Sequence, residues 1–273
     1  MTSDDPVAMA DLQEQAHGSG HDYDSGSPHL RHPRLRNEII ARIRALVAEQ
    51  YERRGSCRVL EIGAGHGSFT DHIAAMGAQV TVTEMSRPSL EHLEARFAYN
   101  PSVRLLYDAD GEAAFSDDAE YDLVLCISVL HHIPDYLTFV GRTLDRITPG
   151  GAFASFQDPL WYPRRSRLNK GADKAAYYVW RLGQRNIVQG VATRARRIRG
   201  QYDEGNPADM VEYHVVRDGV DDAALQQLLE TAFRSTELWT YWSTQAPLLQ
   251  AGGSRLGART TFGLTGRDRL PKH

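Results

Sequence analysis

At 273 residues and 41% hydrophobic content, the chain is long enough for one large domain or two small ones with a sizeable core. Its formal charge of -4 conceals an opposition between an acidic beginning and a basic stretch after residue 160, so the total alone excludes no class of partner. Two cysteines exclude a disulfide framework, and Cys57 and Cys126 lie in or beside apolar runs where they pack as small hydrophobes. The chain has no run of eighteen apolar residues, and its first thirty lack both a basic region and an apolar signal core. These features predict a cytoplasmic protein without stable membrane association.

Residues 1–29 hold six acids, no lysine or arginine, and repeated Gly and Ser. Such a segment buries too little to order itself and is expected to be a disordered tail. From 34 to 54, Leu35, Ile39, Ile40, Ile43, Leu46, Val47 and Tyr51 recur at helical spacing, and Gly55 ends the pattern. The expectation is an amphipathic helix capping the domain over 30–55. Short buried strands are expected at 58–62, 79–83, 103–107, 122–129 and 151–156, with helices between most of them. Ser86 with Pro88, and Pro134 with Asp135, are helix starts. Strands alternating with helices predict right-handed crossovers and a parallel, doubly wound α/β sheet with helices on both faces. A helix at 221–233 and strands at 236–242 and 259–264 bring the sheet to about seven strands, in a single domain over 30–273.

In a doubly wound sheet, ligands bind at the carboxyl ends of the strands, and the loop after the first strand must approach them closely. Glu61-Ile62-Gly63-Ala64-Gly65-His66-Gly67 stands there. The glycines fall at every second position, whereas a pyrophosphate-binding loop places its third glycine three residues beyond the second. This spacing suits a ligand without phosphates. Glu84, ending the second strand, can accept hydrogen bonds from both hydroxyls of a ribose. After the third strand, a carboxylate of Tyr107-Asp108-Ala109-Asp110 can accept from an adenine amino group, with Asp108 preferred to Asp110.

With these motifs in order, residues 58–156 resemble the class I S-adenosylmethionine-dependent methyltransferases. The pattern acid-x-Gly-x-Gly-x-Gly is matched at Glu61, Gly63, Gly65 and Gly67, the second-strand acid at Glu84, and the third-strand Asp-Ala at Asp108 and Ala109. The run from Tyr121-Asp122 through His131-His132-Ile133-Pro134-Asp135, and that from Leu144 through Pro149-Gly150-Gly151, are similar to the small-molecule branch. The stretch between Asp108 and Phe115 departs from the pattern, being a residue longer and lacking Leu-Pro. The resemblance implies a Rossmann-like fold binding S-adenosylmethionine, with Met85 and Ser128 joining the cofactor set.

Methyl transfer from a sulfonium is an in-line displacement, so the enzyme contributes chiefly alignment and dryness, and a hydroxyl acceptor is helped by a base. His131 and His132, after the fourth strand, and Asp158, after the fifth, are the candidates for base and orienting partner that the resemblance implies. His132 and Asp135 are too few for a metal, and none is expected. An amine acceptor is the alternative, but the Asp-Pro-Pro-aromatic type of motif is replaced after the fourth strand by Ser128-Val129-Leu130-His131.

Residues 161–200 carry eleven basic side chains and one acid, Asp173, with Trp180, Ile187, Val191, Ala195 and Ile198 at helical spacing. They are expected to lie in an inserted basic helical lid over 160–215. Its arginines could grip a carboxylate or phosphate of the substrate, and Trp161, Tyr162, Tyr177, Tyr178 and Trp180 could form an aromatic wall. A solvated helix face, an anionic membrane surface and single-stranded RNA are the competing explanations of the charge. His214 is a reserve base. The reading is O-methylation of a small-molecule substrate, with an acidic or phosphate-bearing natural product or sugar as the candidate class, no nucleic acid expected and the oligomeric state open. An RNA or protein methyltransferase using the basic insertion, and a non-catalytic binding protein, are the rivals.

Overall fold

The computed structural model describes residues 27–116, 118–183, 218–255 and 257–272. The acidic stretch 1–26, the later part of the expected lid with Ile187, Val191, Ala195 and Ile198, and His214 lie outside the described residues.

Chain order runs α1 (Pro28–Arg31), α2 (Pro33–Arg54), β1 (Arg58–Ile62), α3 (Thr70–Ala74), β2 (Gln79–Glu84), α4 (Arg87–Phe97), β3 (Val103–Tyr107), β4 (Tyr121–Ile127), α5 (Tyr136–Leu144), β5 (Ile147–Pro159), α6 (Arg167–Gly183), α7 (Asp222–Ala232), β6 (Phe233–Tyr241), α8 (Pro247–Arg255) and β7 (Thr261–Arg269). The boundaries follow local chemistry. Gly55 closes α2 in the left-handed region at φ 73°, Ser86 caps α4 by accepting from the Ser89 amide, and Asp135 caps α5 by accepting from that of Thr138.

The seven strands form one sheet in the order β3-β2-β1-β4-β5-β7-β6. The first five pair in parallel, but β7 inserts between β5 and β6 and runs antiparallel to both. The expected parallel, doubly wound part is formed by β1 to β5, and β7 makes the complete sheet mixed. The connection from β6 to β7 returns without crossing to the opposite end, so the chain re-enters the sheet reversed. Both final strands are also displaced from their expected bounds, with β6 beginning directly after α7 and β7 continuing to Arg269.

Strand alternation divides the core. In β4, Leu123, Leu125 and Ile127 face one side with Ile39, Ile43, Leu46 and Val47 of α2, while Val124 and Cys126 face the other with Val140 of α5, Leu229 of α7 and Phe262 of β7. The two thiols are buried and free, as small hydrophobes should be. At the amino end of the sheet, buried Asp122 accepts from the Arg58 amide at 2.8 Å and the Thr148 hydroxyl at 3.0 Å, with Arg54 alongside at 3.4 Å. Its role is to join β1, β4 and β5 far from the glycine loop. Among the described residues, no helix is long and apolar enough to cross a membrane.

Ile43 is 1% exposed in the cluster between α2 and the sheet. Ile43→Ala is expected to cost about 2–4 kcal/mol, read as a lowered midpoint in chemical denaturation. Tyr99→Ala, at a side chain almost wholly exposed, should stay within about 0.5 kcal/mol of wild type.

Candidate active site

The order of strands reverses between β1 and β4: β2 and β3 follow on one side, β5 on the other. This switch point opens a crevice at the carboxyl ends of the two strands, and the glycine loop leaves β1 there. Gly63, Gly65 and Gly67 all have positive φ, at 64°, 56° and 78°. A side chain at Gly67 would meet Phe97 and Leu93 of α4 at 2.7 and 2.8 Å, and one at Gly63 would meet Val129 at 2.7 Å. Glycine is thus required by backbone conformation and by the close approach of neighbouring elements.

Glu84 ends β2 and is buried. One carboxylate oxygen accepts from the Gly65 amide at 2.8 Å and the other from the Ser86 amide at 2.9 Å, so the side chain fastens the loop to the next strand. Each oxygen keeps a further lone pair for a hydroxyl donor. Glu61 lies on the α2 side of β1, accepting from the Thr70 hydroxyl at 2.7 Å. Burial pushes both carboxyls up to about 7, against the lowering effect of those hydrogen bonds. At the end of β3, Asp108 is buried and accepts from the Ala113 amide at 2.9 Å, whereas exposed Asp110 accepts from the Glu112 amide at 3.1 Å. Met85, Ala109 and Ser128 lie along the same carboxyl edge, after β2, β3 and β4 respectively. Left-handed glycines and the buried Glu84 and Asp108 carboxylates form a close-approach loop with hydrogen-bond acceptors, chemistry suited to a nucleoside carrying an amino-acid group rather than phosphates.

Beyond β4 the backbone is strained. Ser128 has φ 61°, its amide donating to the Phe156 carbonyl at 2.7 Å, and a short 3-10 turn follows at Leu130–His132. His131 is buried and its Nδ1 lies 2.8 Å from Asp158 Oδ1, which also accepts from the His131 amide at 3.2 Å. Asp158 is itself wholly buried, its second oxygen accepting from the Ser155 hydroxyl at 2.5 Å. A carboxylate only accepts, so it places the ring proton on Nδ1 and leaves Nε2 as the basic atom of the neutral imidazole. His132 is half-buried, its ring 4.1 Å from that of His131, centroid to centroid. The structure thus brings His131 and Asp158 into contact and sets His132 against the outer side of the pair.

Gln157 carries no obvious signal in sequence. It is the extra residue of a bulge, since Phe156 pairs with Gly263 and Asp158 with Phe262, and its φ is 70°. In a regular strand residues three apart face opposite sides; the bulge lets Ser155 and Asp158 meet. Tyr241 and Ser243 hold Gln157 in place: the Tyr241 hydroxyl accepts from its amide at 2.9 Å, and its side-chain nitrogen donates to Ser243 at 2.7 Å.

In the described part of the lid, Ala172 and Ala176 of α6 pack with Trp242, Leu249 and Ala258 beside the ends of β6 and β7. Arg164 pairs with Asp221 and Asp222 at 2.6 and 2.9 Å, and Arg165 with Asp173 at 3.1 Å. Protein carboxylates therefore engage these two arginines. Tyr177, Tyr178 and Trp180 form an aromatic group, with Tyr177 5.5 and 6.4 Å from the other two rings. Among the described residues, no cluster of three or more His, Cys, Asp or Glu could hold a metal ion.

Glu84 yields a signed prediction. With its carboxyl raised from 4.5 to about 7, its contribution to the stability of the ligand-free protein is fully present below about 4.5 and lost as pH rises through about 7. Glu84→Gln removes this titration. The stability advantage of wild type over the variant should therefore shrink between pH 5 and pH 8, by on the order of 3 kcal/mol, in thermal melts across that range. A widening gap would show that the carboxyl is depressed instead.

Comparison with known proteins agrees with this geometry. Residues 60–153 match the family described as a methyltransferase domain. An uncharacterized methyltransferase of Mycobacterium tuberculosis strain H37Rv is 33% identical over 115 residues, covering 40% of this chain and 57% of that protein. A ubiquinone biosynthesis O-methyltransferase of Xanthomonas campestris is 30% identical over 96 residues, covering 34% and 40%. The chain thus spans 57% and 40% of the lengths of these two curated relatives. Among solved structures, the N-methyltransferase NodS of Bradyrhizobium japonicum, in complex with S-adenosyl-L-homocysteine, aligns over 97% of this chain and 99% of its own, with a TM-score of 0.54 and 15% identity. A putative sarcosine dimethylglycine methyltransferase of Galdieria sulphuraria aligns over 88% of each chain, with a TM-score of 0.53 and 15% identity. These likenesses are of fold. Glycine loop, strand-end acids and strand order agree with the family match, which identifies residues 60–153 as a methyltransferase domain.

Proposed function

We propose that this chain transfers a methyl group from S-adenosylmethionine to a hydroxyl of a small molecule. The observation that carries the acceptor half is the buried His131–Asp158 contact of 2.8 Å, in the turn after β4 beside the crevice. Glu61, Gly63, Gly65, Gly67, Glu84, Met85, Asp108, Ala109 and Ser128 would hold the cofactor. When bound, S-adenosylmethionine supplies an electrophilic methyl group on sulfur. The chain's own part is to orient the acceptor, exclude water and take up its proton at His131 Nε2, with Asp158 fixing the tautomer. Held to the ring and to the Ser155 hydroxyl, Asp158 keeps the imidazole aligned without reorganisation during the reaction.

In this reading residues 30–273 work as one unit, capped by 30–55 and covered on the acceptor side by a lid over 160–215. The basic character of that lid favours an acidic or phosphate-bearing substrate, recognised by arginines other than the two paired with protein carboxylates. The relatives' names include both an O- and an N-methyltransferase. A base paired with a carboxylate favours the hydroxyl, because a neutral amine attacks without prior deprotonation.

The test is transfer from labelled S-adenosylmethionine to panels of hydroxylated, carboxylated and amine metabolites, with RNA and protein fractions beside them. Once an acceptor is found, His131→Ala should lower kcat about 10²–10⁴-fold with cofactor affinity retained. Asp158→Asn should lose a substantial part of that factor by favouring the wrong tautomer. Undiminished turnover in His131→Ala would remove the base assignment, and methylation confined to RNA or protein would remove the small-molecule assignment.

A further inference from the structure

The four-residue helix α1 lies against the glycine loop, and its His29 and Leu30 line a cleft with Glu61, Gly63, Ala64, Ser68, Phe69 and Ile127. The His29 ring is 4% exposed and stacks on Phe69, with centroids 5.9 Å apart and planes 16° from parallel. Its Nδ1 is buried without a hydrogen-bond partner among the described residues. Leaving such an atom unpaired costs about 1–3 kcal/mol, so its place in a cleft beside the glycine loop asks for a partner from outside the chain. Burial drives the His29 pKa down to about 3, so the imidazole is neutral and offers a hydrogen bond rather than a charge.

The position of the cleft defines which part of a ligand reaches it. It includes Gly63 and Ala64 at the exit of β1 and Ile127 at the end of β4 but neither Glu84 nor Asp108, the candidates for ribose and adenine. The remaining polar portion of S-adenosylmethionine is its amino-acid end, carrying one carboxylate and one ammonium. Resting on the cofactor assignment above, we propose that His29 Nδ1 hydrogen-bonds this amino-acid group, making α1 part of the cofactor site.

The attachments of α1 suit that role. The Thr244 carbonyl is 2.7 Å from His32 Nε2, and the Gln245 carbonyl accepts from Arg31 at 3.4 Å. The helix is thus braced on the loop after β6 while its other side meets the glycine loop.

Titration calorimetry with S-adenosylhomocysteine and with 5′-methylthioadenosine, which lacks the amino-acid group, separates the possibilities. His29→Phe keeps the ring stack and removes Nδ1, His29→Ala removes both, and His29→Asn returns a polar atom near the same place. In His29→Phe, affinity for S-adenosylhomocysteine should fall about tenfold while that for methylthioadenosine stays within about twofold, and His29→Asn should recover part of the loss. Equal weakening of both ligands, or no weakening of either, would overturn the assignment, and the Phe and Asn variants still decide if His29→Ala fails to fold. Wild-type protein that binds neither ligand would instead overturn the cofactor reading itself, and this one with it.

Discussion

The buried Glu84 carboxylate is the contact on which the organisation of the crevice depends. It accepts from the amides of Gly65 and Ser86, joining the loop after β1 to the turn after β2. Three glycines with positive φ give that loop a path that other residues would resist, and Val129, Leu93 and Phe97 occupy the space where side chains at Gly63 and Gly67 would project. Neither element suffices alone. Without the carboxylate the Gly65 amide loses its acceptor at the end of β2, leaving the Gly63 amide on the Thr83 carbonyl, and without the glycines the loop could not bring the Gly65 amide to that carboxylate.

Burying an acid in this way has a cost that the surrounding polar groups only partly offset. Glu61 and Glu84 are both driven up to about 7 by desolvation, despite hydrogen bonds that favour the charged forms. Among the described residues the neighbouring charges that act on these two carboxyls are acids, which raise them further, and Glu84 retains acceptor capacity beyond its backbone donors. A site built from raised carboxyls and an unpaired imidazole is incomplete by itself, and hydroxyl and ammonium donors are the chemistry it lacks. This is a physical reason for reading the crevice as a nucleoside site, independent of any family likeness.

Much of the donor half was legible in sequence because its determinants are local. Gly63, Gly65 and Gly67 report their backbone directly, and strand periodicity places Glu84 and Asp108 at strand ends without knowledge of the sheet order. Ser86, Asp135 and Gly55 likewise act within a turn of themselves. The antiparallel β7 was not legible, since the alternation of apolar residues is the same in either direction and only the pairing distinguishes them. His29 was hidden for a different reason. It falls where a polar, acidic stretch ends, and its burial comes from Phe69, forty residues later in the chain.

The acceptor half depends on a feature that composition conceals. His131 and Asp158 are recognisable as residue types, but their contact requires two non-glycine residues, Ser128 and Gln157, to take left-handed backbone at adjacent strand ends. Such conformations are unfavourable in isolation and persist where surrounding contacts over-determine them. Here the Ser128 amide is held by the Phe156 carbonyl, and Gln157 by Tyr241 and Ser243 at the end of β6. Because β6 and β7 supply that support, the C-terminal strands do more than complete the sheet. They hold the bulge that turns Asp158 toward Ser155 and His131, and so link the last part of the chain to the geometry of the proposed base.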